Sequence, residues 1–279
     1  MSPMNNRLLV PRKTPGLLDL VPGAAAAYSL RSLSRSYAGP VVTVRRSSDD
    51  AEDSFTASEV ADGTLAAFCG AGDGFVKQWW DQSANARHAS QSTAGSQPKI
   101  VDSGAVVTKE GKPALDFDGT DDYLLISPTL PGSFWDESFS VFVLATLRSA
   151  TANNYLLSAW GSRDFTLRYV TSRLLTTIYD GSTGHSVENT AGGIGDQILY
   201  EIVRSKTSGI FAYGNAAEQD SDPFTGNAAA RTDDDAIGAR YDADRNELDA
   251  LYQELLIFDS RSISQRQLIE GNIAWGWSV

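Results

Sequence analysis

The chain has 279 residues, 42% of them hydrophobic, so it can bury a sizeable core in one large β domain or two ordinary domains. No stretch approaches the roughly 18 consecutive apolar residues of a membrane span. The single cysteine, Cys69, excludes an internal disulfide and fits synthesis in a reducing cytosol. The net charge of −12 describes an acidic protein, which disfavours nucleic acid as a partner.

The N-terminal region differs in charge from the rest of the chain. Residues 1–46 hold seven Lys and Arg against Asp19 alone, so they carry +6 and the remainder carries −18. Prolines, Arg12 and Lys13 interrupt the first residues, which argues against a signal peptide. We predict that residues 1–20 form an arm, either a frayed terminus or a peptide that docks onto an acidic partner.

Strand signals dominate the chain. Short segments rich in β-branched and aromatic residues alternate with turn residues about every ten positions, which is typical of an all-β sandwich. The predicted strands are 40–46, 74–80, 114–119, 123–127, 138–147, 154–160, 165–170, 174–181, 197–205, 209–215 and 250–260. Within 138–147, Phe139 and Val141 are predicted to face the core while Ser140 and Phe142 face away.

Helical signals are few. Residues 24–33 ("AAAAYSLRSL") and 62–70 ("DGTLAAFCG") are two short candidates. A third begins at Ser262, whose spacing to Gln265 matches a capping box, and places Ile269 and Ile273 on one face. With no internal repeat visible, the sequence predicts one domain after the arm.

The residue inventory narrows the possible chemistry. One cysteine and two histidines exclude a Cys/His zinc site. A Ser-His-Asp triad would need His88 or His185, but the sequence has no G-x-S-x-G elbow. The Gly-rich segments form neither a P-loop nor a dinucleotide fingerprint. Thirty-five acidic residues permit glycoside hydrolysis, which needs two facing carboxyl groups, without identifying a pair.

An acidic cluster lies in "DFDGTDDYL", residues 116–124. Its carboxylates are weak calcium candidates, and calcium is the only cofactor considered. β-Turns favour Asp and Gly in any case, so we prefer a plain turn and predict no metal site. The candidates are Asp116, Asp118, Asp121 and Asp122.

The segment "QWWDQSANARHASQS", residues 78–92, is the densest in polar and aromatic side chains. If a strand ends here, Trp79 and Trp80 face opposite sides of the sheet, and the outward ring is a candidate platform for a sugar. The alternative is that another part of the fold covers that ring. Asp81 and Asn85 are expected to cap the turn, and His88 to be a partner in it. We interpret the segment chiefly as the corner of a sandwich.

A family resemblance rests on several segments: "RSLSRSYAGPVVTVRRSSDDAEDSF", "AAFC" and "WWDQSANARHASQS". They resemble the catalytic domain of arabinofuranosidase-B-type α-L-arabinofuranosidases, and the same pattern is common in bacteriophage-encoded concanavalin A-like (laminin-G-like) sandwich proteins. "ALDFDGTDDYL", "IGARYD…LYQELLIF" and "LIEGNIAWGW" are similar to looser motifs of that broader group. The resemblance implies that residues 21–279 form a concanavalin A-like jelly-roll β-sandwich.

The resemblance also implies positions for catalytic groups. Asp242, ten residues before Tyr252, matches the family's general acid. The family's nucleophilic glutamate falls on Tyr179, and a shift of one residue would put Asp180 there, with a shorter side chain. The family's adjacent cysteine pair is absent, and "YLLSAW" stands in that region. Losing a nucleophile removes several orders of magnitude in rate.

From these departures the sequence predicts a non-catalytic bacteriophage virion protein, a tail or head appendage that presents a glycan-binding surface for attachment to a host. The arm would contact other virion proteins, the chain would form a homo-oligomer in the particle after synthesis in the host cytoplasm, and neither nucleic acid nor membrane insertion is expected. One alternative is an active α-L-arabinofuranosidase-like hydrolase with Asp242 and Asp180; another is a ligand-free decoration or adaptor protein. The predicted carbohydrate-binding residues are Trp80, Asp81, Asn85, His88, Tyr179, Arg240, Tyr241 and Asp242.

Overall fold

The computed structural model describes residues 15–149, 154–159, 165–229, 234–240, 248–259 and 263–277. Its α-helices are α1 (Leu17–Leu20), α2 (Ala57–Ala61), α3 (Thr64–Cys69) and α4 (Ile263–Trp277), and single 3₁₀ turns span Ala94–Ser96 and Phe134–Asp136. The strands in the first half are β1 (Ala24–Ser29), β2 (Val42–Arg46), β3 (Glu52–Phe55), β4 (Gly74–Trp79), β5 (His88–Ser90), β6 (Lys99–Asp102), β7 (Ala105–Val106), β8 (Thr108–Lys109), β9 (Lys112–Pro113), β10 (Leu115–Asp118), β11 (Leu124–Ser127) and β12 (Phe139–Leu147). The remaining strands are β13 (Asn154–Ala159), β14 (Phe165–Val170), β15 (Arg173–Tyr179), β16 (Gly184–Asn189), β17 (Gln197–Ser205), β18 (Gly209–Gly214), β19 (Ala217–Asp222), β20 (Asp235–Ile237) and β21 (Asp249–Phe258).

The strands form two antiparallel layers. One layer runs β3–β2–β4–β5–β11–β20–β13–β14–β15–β16. The other runs β19–β18–β17–β12–β21, with β1 and β10 paired end to end along the far edge of β21. Strand β6 pairs with both β4 and β10 and so joins the layers. Strands make up 47% of the chain and helices 14%, so the predicted all-β sandwich is confirmed.

The core lies between the layers and is rich in aromatic rings. Trp79 is fully buried and contacts Tyr28 and Tyr252, with ring centroids 5.6 and 5.9 Å apart. Elsewhere in the core, Trp135 stacks on Phe165 with 4.3 Å between centroids. Both tryptophans come from strand ends or turns, and they fill the space that the alternating strand residues leave between the sheets.

The first helical prediction is wrong, because residues 24–29 form strand β1. Alanine favours a helix by only a fraction of a kcal/mol per residue, and tertiary packing overrides such a preference. All six residues of β1 are buried, and the strand pairs with β21 from Ala24 opposite Phe258 to Ser29 opposite Glu254. Small side chains suit this position because the strand is covered on both sides. The second prediction, 62–70, is confirmed as α3, preceded by Gly63 at φ +93°.

The C-terminal helix α4 explains why β12 is buried along its whole length. Phe139 and Val141 face the core as predicted, but Ser140 and Phe142 are also nearly inaccessible, at 5% and 1% exposure. On the outer face, Arg266 of α4 lies 3.2 Å from Glu201 of β17 and 3.9 Å above the ring of Tyr213. Ile269 and Ile273 of α4 are buried. A helix therefore covers the side of this layer that alternation alone would leave to solvent.

The N-terminal boundary falls inside the predicted arm. Leu17 of α1 is fully buried, and the Leu18 amide donates to the Leu33 carbonyl at 2.8 Å. Residues 1–14 lie outside the described residues, so an anchoring role for the arm stays a prediction. Among the described residues, no helix is both long and apolar enough to cross a membrane.

Candidate functional site

The turn after β4 serves as a cover for the free edge of β1. Asp81 is buried at 2% exposure, and its Oδ1 accepts hydrogen bonds from the Ala27 and Ser83 amides, both at 2.8 Å. Its Oδ2 accepts from the Ser83 hydroxyl and the Arg87 amide at 2.7 and 3.0 Å. Asn85 donates to the carbonyls of Ala24 and Ala25. These polar side chains satisfy an edge strand that would otherwise expose its backbone groups.

Trp80 and His88 pack against each other beside this turn. Their ring centroids are 4.5 Å apart, and the Trp80 indole donates to the Thr43 hydroxyl at 2.9 Å. The Asp81 amide donates to Nδ1 of His88 at 3.2 Å. Burial lowers the pKa of His88. The ring of Trp80 stays partly accessible, so its use as a sugar platform stays a prediction.

A second Asp-His arrangement lies at the tip of the hairpin between β15 and β16. Asp180 Oδ1 accepts from the Ser182 amide, the Ser182 hydroxyl and the Thr183 amide at 2.8, 2.9 and 2.7 Å. Backbone and hydroxyl donors of its own turn hold the pKa of this carboxyl well below its ordinary value. Asp180 is solvent-exposed. The carboxylate is therefore ionised, oriented by its own turn and accessible.

His185 joins this hairpin to the chain that follows β19. Its Nε2 lies 3.4 Å from Asp180 Oδ2, and its Nδ1 lies 3.9 Å from Asp222 Oδ1. Its ring stacks on Phe224 with 3.7 Å between centroids and 9° between planes. The Phe224 amide donates to Asp222 Oδ1 at 2.8 Å. An imidazole between two carboxylates and flat on an aromatic ring has few orientations available to it.

A buried arginine fixes the loop that carries Phe224. Arg204 of β17 is fully buried; it donates to the Trp135 carbonyl, and to the Gly226 carbonyl at 2.5 Å. Its guanidinium carbon lies 5.5 Å from the centre of the Phe224 ring. Farther along, the Ala229 amide donates to the Tyr179 carbonyl at 2.8 Å. The loop is thus tied to β17 at one point and to the end of β15 at another.

The sequence predicted Asp180 and Tyr179 as site residues but missed the others in this cluster. Nothing in the sequence spacing relates Asp222 or Phe224 to Asp180, because they meet only where β16, paired with β15, lies beside β19, which is paired with β18 of the other layer. His185 is one of two histidines, five residues beyond Asp180 across a hairpin turn, and that spacing was an available signal. We refer to Asp180, His185, Asp222 and Phe224 as the hairpin cluster.

The predicted carbohydrate-binding residues do not converge on one place. Six steps of about 4.8 Å separate β4 from β15, roughly 29 Å measured along their layer, so the Trp80 turn and the hairpin cluster lie on well-separated strands. Arg240 follows β20 and is half-buried. Tyr241 and Asp242 lie outside the described residues.

The acidic turn brings together three of its four carboxylates. Asp118, Asp121 and Asp122 offer oxygens within 4.8 Å of one another, whereas Asp116 pairs with Arg148 at 2.5 Å. The Thr120 amide donates to Asp118 Oδ1, and Gly119 has φ +77°, as in an Asp-Gly turn. Burial raises the pKa of Asp122 to about 7. The preference for a plain turn over a calcium site stays a prediction.

Comparison with known families and structures identifies arabinofuranosidases among the similar proteins. A sequence model of the catalytic domain of alpha-L-arabinofuranosidase B matches residues 19–124. An arabinofuranosidase crystallised with arabinofuranosyl-alpha-1,2-xylobiose is similar in structure over 92% of this chain and 64% of its own, with 16% identity and a TM-score of 0.64. A family 54 α-L-arabinofuranosidase soaked with a cyclic sulfate inhibitor is similar over 90% of this chain and 62% of its own, with 16% identity and a TM-score of 0.65. No curated protein matches by sequence.

A more distant likeness is to the binding domain of botulinum neurotoxin serotype D, at 12% identity and a TM-score of 0.53 over 69% of this chain. At these identities the structures show a shared fold, an arabinofuranosidase-like β-sandwich. The chain spans 64% or less of the length of the arabinofuranosidase structures cited above.

These findings contradict the main functional prediction from the sequence. Both the family model and the structural neighbours point to an arabinofuranosidase catalytic domain rather than to a non-catalytic virion protein. The prediction that the protein is not an enzyme conflicts with them too, and no comparison supports a bacteriophage origin.

Proposed function

We propose that this chain is a glycoside hydrolase that acts on α-L-arabinofuranosides. The observation that carries the proposal is the match of residues 19–124 to the arabinofuranosidase B catalytic domain, together with the common sandwich over 92% of the chain. A fold by itself hosts many functions, so the site must supply the chemistry. The hairpin cluster offers a carboxylate suited to it.

In this proposal Asp180 is the nucleophile. Glycosidases that form a covalent intermediate need an ionised carboxylate beside the anomeric carbon. The three hydrogen bonds to Oδ1 stabilise the ionised form, while Oδ2 accepts none from the turn, lies 3.4 Å from His185 Nε2 and is the oxygen that would attack. The aspartate stem is one methylene shorter than that of a glutamate.

The general acid in this proposal is Asp242, which the family resemblance assigns. Oδ2 of Asp180 would bond to the anomeric carbon as the bond to the leaving oxygen breaks, and Asp242 would give that oxygen a proton. Water would then attack the ester-linked sugar, losing its proton to Asp242 and releasing Asp180 as a carboxylate. Asp222, on the other side of His185, is the competing candidate for the acid.

The test is steady-state hydrolysis of 4-nitrophenyl α-L-arabinofuranoside by the wild type and by Asp180→Asn. The expected loss in kcat is about 10³-fold or more, because the amide cannot act as a nucleophile. Asp62→Asn is a matched control, since Asp62 is exposed and its Oδ1 likewise accepts from the amide and hydroxyl of a residue two positions on, Thr64. Asp242→Asn and Asp222→Asn, compared with each other, identify the acid.

Absence of turnover by the folded wild type on this substrate and on arabinofuranosyl oligosaccharides would overturn the proposal. Turnover that survives Asp180→Asn would leave a hydrolase but remove Asp180 as its nucleophile. Equal losses in Asp180→Asn and Asp62→Asn would attribute the effect to turn geometry, which also contradicts the assigned role.

A further inference from the structure

A large pocket lies on a different part of the molecule from the hairpin cluster. Its volume is about 660 Å³, and it is bounded by the start of β1, the turn after β4, the 130–134 segment and Asp259. Arg87, on this turn, precedes β5, which is five steps of about 4.8 Å from β15, or roughly 24 Å from the hairpin cluster. The pocket shares no lining residue with the hairpin cluster, although Phe134 in its wall packs on Trp135, whose carbonyl accepts from Arg204 beside Phe224.

The guanidinium of Arg87 lines this pocket and is poorly satisfied. Its Nε lies 3.4 Å from the Thr129 carbonyl and its Nη1 lies 3.5 Å from the Ala25 carbonyl, both at the outer limit of a hydrogen bond. Within the described residues, no carboxylate lies within 4.0 Å of it, although Asp259 lines the same pocket. A half-buried guanidinium with donors to spare is a ready partner for a carboxylate, which it can bind through two parallel hydrogen bonds.

The walls around Arg87 divide into apolar and hydroxyl-bearing sides. Pro22, Leu130, Pro131 and Phe134 supply hydrocarbon surface, while Ser34, Ser36 and Ser83 supply side-chain oxygens. Sugar rings present a C–H face that packs on such hydrocarbon and a rim of hydroxyl groups that need hydrogen-bond partners. The volume is within the range of ordinary small-ligand sites.

We propose that this pocket binds a saccharide that carries a carboxylate, a uronic acid residue, with Arg87 holding the carboxylate. The apolar wall takes the C–H face of the ring, and the serine side takes its hydroxyls. Asp259, at the pocket edge, disfavours ligands that carry more than one negative charge. The acidic body of the protein makes a local cation necessary for any anionic ligand to bind here. This inference does not depend on the proposed hydrolase activity.

The test is titration of the full chain with methyl β-D-glucuronide, methyl β-D-glucoside and inorganic phosphate, followed by calorimetry or by ligand-detected NMR. We expect the glucuronide to bind at least about tenfold more tightly than either of the others, because a bidentate charge-assisted pair is worth that much. Arg87→Gln removes the charge and keeps a polar side chain. Arg173→Gln is the control, since Arg173 is 43% exposed and pairs with Glu188 outside the pocket.

The expected result is loss of glucuronide binding in Arg87→Gln and retention in Arg173→Gln, with both variants melting near the wild type. No detectable glucuronide binding by the wild type, or equal binding of glucuronide and glucoside, would overturn the proposal. Phosphate that binds more tightly than the glucuronide would indicate a simple anion site without a sugar subsite, which also contradicts it. Unchanged binding in Arg87→Gln would do the same.

Discussion

Two turns in this molecule carry the same pair of residue types and use them differently. In the turn after β4, Asp81 is buried and accepts from Ala27 of strand β1 as well as from its own turn, and His88 accepts from the Asp81 amide. In the hairpin after β15, Asp180 Oδ1 accepts only from donors of its own turn, and Asp180 Oδ2 lies 3.4 Å from Nε2 of His185. Both oxygens of Asp81 accept hydrogen bonds from the fold, whereas Oδ2 of Asp180 accepts none from its own turn. Residue type therefore does not distinguish a structural corner from a reactive site; the source of the hydrogen-bond donors does.

The largest expected effect on stability comes from the buried member of this pair. Asp81→Ala leaves the Ala27, Ser83 and Arg87 amides of the turn and of β1 without their acceptor, which we expect to cost about 3 to 5 kcal/mol of unfolding free energy. Urea denaturation followed by tryptophan fluorescence measures it. Asp180→Ala is the paired control and is expected to lower stability much less, since the donors of this exposed turn can bond to water instead. Equal losses of unfolding free energy in the two variants would contradict the distinction between a structural and an available carboxylate.

A third acidic turn, which contains Asp122, is expected to make the free energy of unfolding depend on pH. Burial raises the pKa of Asp122 from 3.8 to about 7, so the folded state binds a proton that the unfolded state releases. The resulting stabilisation is full below pH about 4 and is lost as pH rises through about 7, amounting to roughly 2 to 4 kcal/mol. Asp122→Asn should remove this dependence and be more stable than the wild type at pH 8. Denaturation at pH 5, 6, 7 and 8 measures it, and parallel pH profiles would contradict the assignment.

Adding calcium tests whether the turn that contains Asp122 is a plain turn or a calcium site. A plain turn predicts that millimolar calcium leaves the melting temperature of the wild type unchanged at pH 8. A calcium site predicts a rise that disappears in Asp122→Asn.

The smallest expected effect concerns His185. We expect His185→Gln to lower kcat on 4-nitrophenyl α-L-arabinofuranoside by about tenfold, because the stacked ring that faces Asp180 Oδ2 is lost while the turn donors remain. KM and the melting temperature should change little. His88→Gln, in the structural turn, should leave kcat unchanged, and an equal loss in both variants would contradict a positioning role for His185.

Much of the fold was predictable, because its strands carry local signals. Segments such as 165–170 and 197–205 are rich in β-branched and aromatic residues and match their strands to the residue. Strand β1 was not predictable, since four alanines favour a helix and only burial between β21 and the Asp81 turn makes them a strand. Some residues of the candidate site were likewise predictable from the sequence and others were not. Asp180 follows from its turn and the family resemblance, whereas Asp222, Phe224 and Arg204 reach it only through long-range pairing.

The most direct test of the central claim, that Asp180 is a catalytic nucleophile, is covalent labelling. A carboxylate opens an arabinofuranose-configured cyclic sulfate by attacking a ring carbon. The bond between that carbon and a sulfate oxygen breaks, the sulfate stays on the sugar, and the resulting ester contains every atom of the inhibitor. We predict that the wild type gains the full mass of one inhibitor molecule, that peptide mapping places it on Asp180, and that Asp180→Asn gains none. Labelling that maps to another carboxylate, or equal labelling of the variant, would contradict the claim.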